Sequence, residues 1–90
     1  MGIYKGGNKV KVKDFLKLII SDCKFIRIVK CDDENRIELF DGTIKRLYEY
    51  KNEINEYETK EHILNYKILN IEQIYNRLVI YVKEDKQWKN

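Results

Sequence analysis

The chain of 90 residues contains no proline and no alanine, only four glycines, and a single histidine and serine. Its two cysteines, Cys23 and Cys31, form no CxxC pair. With one histidine in reserve, zinc would lack its usual four nitrogen and sulfur ligands, so no structural metal and no cofactor is expected. Both cysteines read as reduced, small apolar side chains at the ends of one strand. Nucleophilic catalysis needs a Ser, Cys or Thr beside a base oriented by a third group. One serine, two threonines and a lone His62 in a charged stretch give no legible triad, so the chain reads as having no catalytic residues and as no enzyme. Gly6-Gly7 precedes Lys9, but the spacing of a phosphate-binding loop and the strand before it are missing. Apolar runs such as Leu18-Ile19-Ile20 fall far short of the roughly 18 residues that cross a bilayer, and no signal-peptide pattern follows Met1. A cytoplasmic, membrane-free protein is expected.

What is abundant is charge and β-favouring bulk. Hydrophobic residues make up 43%, aromatics 12% and charged residues 37%, the balance of a soluble globular chain. A domain this small buries only about 60 to 65% of its unfolded surface, so the core is thin and a large active-site cleft is not expected. The counts of 14 Lys, 13 Ile, 8 Asn and 7 Tyr favour AT-rich codons, a property of the genome and not of the chemistry.

Residues 1–11 hold three of the glycines and three lysines, and read as a flexible basic leader. A single domain is expected over 12–83, with a polar tail over 84–90. Phe15, Leu16, Ile19 and Ile20 form one apolar stripe of a short helix over 13–21. Residues 24–31 alternate as a strand, with Ile26 and Ile28 facing the core and Phe25, Arg27 and Val29 opposite. After a polar turn the alternation resumes over 36–40, giving a hairpin that Asp41-Gly42 ends with a dipeptide suited to positive φ. Residues 43–62 read as a partly helical connection, from Ile44, Leu47 and Tyr48 at helical spacing. A second hairpin is expected from 66–74 and 77–82 around Tyr75-Asn76, with Leu78, Ile80 and Val82 inward. The predicted fold class is therefore α+β: an N-terminal helix on an antiparallel sheet of about four strands. Phe25, Val29, Phe40, Val79 and Tyr81 are expected on the second sheet face, either as an interface or beneath a second layer formed by the connection around Tyr48 and Ile54.

The net charge of +3 divides unevenly. Residues 1–30 carry 8 basic and 2 acidic side chains, 31–61 carry 5 and 10, and 62–90 carry 5 and 3. The acidic block interleaves carboxylates with tyrosines: Tyr48, Glu49, Tyr50, Glu53, Glu56, Tyr57 and Glu58. Tyrosine gives large contact area at low entropy cost, and the carboxylates suit a basic protein surface such as a nucleic-acid-binding groove. The alternative partner is nucleic acid itself, bound through Lys5, Lys9, Lys11 and Lys13, although these come without arginine and with Tyr4 as their one aromatic.

Val10-Lys11-Val12-Lys13-Asp14-Phe15-Leu16 resembles the opening of small proteins encoded by phages and prophages of low-GC Gram-positive bacteria, which begin on a "VKDLL"-like helix. Glu38-Leu39-Phe40-Asp41-Gly42 and Asn76-Arg77-Leu78-Val79-Ile80-Tyr81-Val82 fit the same pattern, which covers about residues 10–83. The stretch 49–62 looks like an insertion relative to it. The resemblance implies stoichiometric binding in the host cytoplasm, with an anti-defence inhibitor of a host nuclease, such as an RNA-guided (anti-CRISPR) one, as the leading function. It leaves a nucleic-acid-binding accessory factor and a nucleotide-signal sponge as alternatives. Few strands and an open sheet edge also suggest a homodimer.

Overall fold

The computed structural model describes residues 10–32, 34–54 and 58–83. The elements run α1 (Val12–Leu16), β1 (Phe25–Asp32), β2 (Asn35–Thr43), α2 (Ile44–Glu49), α3 (Lys60–Leu64), β3 (Lys67–Ile74) and β4 (Arg77–Lys83). Both expected hairpins form, and the class is α+β. The expected antiparallel sheet is corrected: the order is β2-β1-β4-β3, and β1 and β4 pair in parallel, from Phe25 opposite Arg77 to Lys30 opposite Val82. The reason lies in composition. β1 carries buried Ile26, Ile28 and Val29, and β4 carries buried Val79, Ile80 and Val82, so both bury side chains on their two faces. Strands buried in this way belong in the middle of a sheet. β2 and β3, with long exposed stretches, are the edges.

The chain leaves β2 at one edge and re-enters at β3 on the other, and the crossing segment covers the core. Ile44 and Leu47 of α2, Ile63 of α3 and Tyr66 join Val12 and Leu16 of α1 over Ile26, Ile28, Ile80 and Val82 in one apolar cluster. Fully burying an aliphatic side chain of this size contributes about 1.5 to 3 kcal/mol. The connection therefore shares the face of α1 and forms no second layer. α1 stops at Leu16, five residues short of the expected end, because the following bonds tighten to Leu18 N–H on Phe15 O (3.0 Å) and Ile19 N–H on Leu16 O (3.1 Å). Phe15 and Ile19 still pack on the core, but Ile20 points wholly into solvent.

Two further corrections concern β2. The strand does not end at Asp41-Gly42 but runs to Thr43, and Gly42 does not have positive φ. Between Ile28 and Val29 the β1–β2 register shifts by one, so Ile28 faces Phe40 while Val29 faces Glu38. This bulge at Leu39 turns Phe40 into the core, 6% exposed, not onto the second face. Among the described residues, the non-glycine residue with positive φ is Tyr75 (58°), at the tip of the β3–β4 hairpin. Val10 and Lys11 belong to the folded unit and not to a leader, since Ile68 N–H donates to Val10 O (2.9 Å), Val12 N–H to Tyr66 O (3.0 Å), and Lys11 bridges Lys67.

The second sheet face carries a mixed-charge lattice above Val29 and Val79. Arg27 lies 3.2 Å from Glu38 and 3.6 Å from Asp41, Arg77 lies 3.5 Å from Asp41, and Tyr81 donates to Glu72 at 2.9 Å with Arg36 over its ring. The arginine and tyrosine bodies shield the two valines, which are 9% and 4% exposed, while the charged groups are only partly exposed and Arg27 Nε and Arg77 Nε are buried.

Candidate protein-docking surface

The surface is built around α2 and the segment that follows it. Thr43 caps the helix, its Oγ1 accepting from Arg46 N–H at 3.1 Å. The spacing of Ile44 and Leu47 turns both inward, which leaves Lys45, Arg46, Tyr48 and Glu49 outward. Tyr48 is 42% exposed, and partial burial of its ring pushes the phenol above its ordinary 10.0. Tyr50 is half-buried and meets Phe40 edge-on, with centroids 6.2 Å apart at 83°. Lys60 holds the segment from behind: its Nζ donates to Tyr48 O (3.0 Å) and Tyr50 O (2.6 Å), and its N–H to Asn52 O. Glu53 bridges Thr59, and Ile54 N–H donates to Glu58 O (3.0 Å).

Between this segment and the outer edge of β2 lies an open groove of about 730 Å³. Leu39, Phe40, Tyr50 and Ile54 supply its apolar lining, Lys45 and Arg46 flank one end near Gly42 and Thr43, and Glu38 and Glu49 add carboxylates. The space is a shallow docking trough between an edge strand and a helix, a shape suited to an extended segment.

The structure brings together part of the acidic–tyrosine block. Glu49 and Tyr50 line the groove, while Tyr48 and Glu53 are exposed neighbours in the chain that do not line it. Glu58 is a correction: it is 8% exposed and faces inward, where both carboxylate oxygens accept from the Tyr66 hydroxyl (3.0 and 3.2 Å) and Oε1 lies 3.0 Å from His62 Nδ1. The His62 ring stacks on Tyr66 at 5.0 Å, and Lys30 Nζ lies 5.5 Å from the Tyr66 centroid. A buried carboxylate needs this many partners, so Glu58 anchors the segment and does not meet a partner. His62 is exposed on one side but tied to that cluster. Glu56 and Tyr57 lie outside the described residues, as do Lys5 and Lys9. Lys11 is half-buried and donates to Asn65 Oδ1 at 3.4 Å, and Lys13 is half-buried in α1.

No known protein family, curated protein or solved structure matches this chain. Chemistry of the surface must therefore be read from its own residues. Among the described residues, no group of three or more His, Cys, Asp or Glu side chains could hold a metal, and no helix is long and apolar enough to cross a membrane. What sequence reasoning missed is the contribution of β2: Leu39 and Phe40 both line the groove at the bulge, which alternation alone does not signal.

Proposed function

We propose that the chain is a non-catalytic protein-binding module whose surface of Tyr48, Glu49 and Glu53, beside the β2 groove, meets a basic partner protein. The observation that supports this reading is the pairing of exposed carboxylates with an aromatic-lined trough on a segment pinned from behind by Lys60. Glu49 and Glu53 have no ion-pair partner among the described residues, so their charge is free for a partner. The second sheet face is a poorer candidate for phosphate, because Arg27, Arg36 and Arg77 are offset there by Glu38, Asp41 and Glu72. Combined with the resemblance to small phage proteins, the reading is an inhibitor in the host cytoplasm that occludes the nucleic-acid path of a defence nuclease, such as an RNA-guided one, by stoichiometric binding.

The test is capture from a lysate of a low-GC Gram-positive bacterium with and without nuclease treatment, using the full chain and the double reversal Glu49→Lys/Glu53→Lys. One host protein retained by the wild type after nuclease, and lost by the double variant, is the expected result. Equal retention by both overturns the assignment of the surface. Recovery of nucleic acid alone, abolished by nuclease, replaces the reading with nucleic-acid binding through the basic N-terminal region.

A further inference from the structure

Among the described residues no strand pairs with the outer edge of β2, and its side chains complement a second copy of the same strand. In a symmetric antiparallel pair, facing residues must lie on the same sheet face. A regular strand meets this condition only when the numbers of facing residues sum to an even value. The bulge at Leu39 reverses the rule for any pair that spans it, since residues before and after it are offset by one. Arg36 shares the second sheet face with Asp41, because their β1 partners Cys31 and Arg27 are both on that face. Ile37 and Phe40 share the core face by the same argument, opposite Lys30 and Ile28.

We infer that the chain forms a homodimer by antiparallel β2–β2 addition, with Arg36 facing the second copy's Asp41 and Ile37 facing the second copy's Phe40. Three features of the edge fit this one register. Ile37 is an aliphatic residue left 49% exposed on the core face, and the pairing seats it against Phe40 and the edge-on ring of Tyr50. Arg36 meets Asp41 twice, once on each side of the two-fold axis, extending the charge lattice across the interface. Asn35 falls opposite Gly42, so the β1–β2 turn with Asp32 and Glu34 runs toward Lys45 and Arg46 at the basic end of the groove. The two Glu38 side chains come together at the axis, each already beside its own Arg27 at 3.2 Å. The result is one eight-stranded sheet in which Ile37 of each copy covers the Phe40 and Tyr50 part of the other's groove. A partner protein would then meet the exposed Tyr48, Glu49 and Glu53 beside the groove and not the groove itself.

Sedimentation velocity across micromolar to millimolar concentrations tests the proposal, together with amide hydrogen exchange of residues 36–42. The wild type is expected to sediment as a dimer that dissociates on dilution, with protection in 36–42 lost in parallel. Ile37→Lys and Arg36→Asp should each weaken the dimer by about tenfold or more, as about 1.4 kcal/mol of lost pairing implies. Ile74→Lys, which places a charge on the opposite edge strand, should leave it unchanged. Circular dichroism confirms that each variant is folded, which the exposure of Ile37 and Ile74 favours. A wild type that stays monomeric throughout overturns the proposal, and so does a dimer indifferent to Ile37→Lys or broken by Ile74→Lys.

Discussion

Tyr81 shows how one side chain is tuned on the lattice of the second sheet face. Its phenol is held above the ordinary 10.0, first because the hydroxyl donates to Glu72 and a phenolate could not, then through desolvation and the nearby Glu72 charge. Arg36 over the ring opposes this and does not outweigh it. A raised folded-state value means that the bond stabilises the fold fully below the unfolded value and is lost as pH climbs through the folded one. The difference in absorbance titration between wild type and Tyr81→Phe should therefore give a midpoint above 10.0, and the stability gap between them in urea should close at strongly alkaline pH. A midpoint at or below 10.0 would contradict the Glu72 contact. Glu58 is the opposite case, a carboxylate that composition alone placed at the surface. Its acidic neighbours suggest a solvated face, and only the fold reveals that Tyr66 and His62 converge on it.

At the level of elements, α2 is a six-residue helix and too short to persist by itself, so its cap and buried face hold it in place. Removing the cap with Thr43→Ala should cost about 1 kcal/mol in urea denaturation, while Thr43→Ser should cost little. A null result would mean that Ile44 and Leu47 alone fix the helix. The two hairpins were legible because alternating Ile, Val and Tyr with polar turns is a local signal, as are the inward Ile26, Ile28, Ile80 and Val82. The pairing of β1 with β4 was not, since alternation says which side chains share a face and not which strands are neighbours. The clue was present in the run Leu78-Val79-Ile80-Tyr81-Val82, whose apolar residues on both faces mark an interior strand. The bulge was illegible for a different reason: it accompanies the packing of Leu39 and Phe40 into the core, with Phe40 edge-on to Tyr50, a tertiary matter. Within the acidic–tyrosine block, Tyr48, Glu49 and Tyr50 lie together because they are chain neighbours, while the inward turn of Glu58 is set by Tyr66, eight residues along the chain.

For the molecule as a whole, the parallel pair at the centre of the sheet joins Phe25 to Arg77, segments separated by roughly fifty residues of chain. Each hairpin closes through a short turn and can form early, but neither buries the core face until β1 and β4 meet, and that closure is the slow, entropically costly step. During synthesis the first hairpin and its covering helices must wait for the last strand to clear the ribosome. Chains stalled before Arg77 should remain sensitive to protease, and resistance should appear abruptly once β4 has emerged. Gradual protection that begins with the first hairpin would show that β1 and β2 are stable without their parallel neighbour. On this topology the fold is expected to close only once β4 has emerged, so that shorter chains should not present the proposed surface of Tyr48, Glu49 and Glu53 in its folded arrangement.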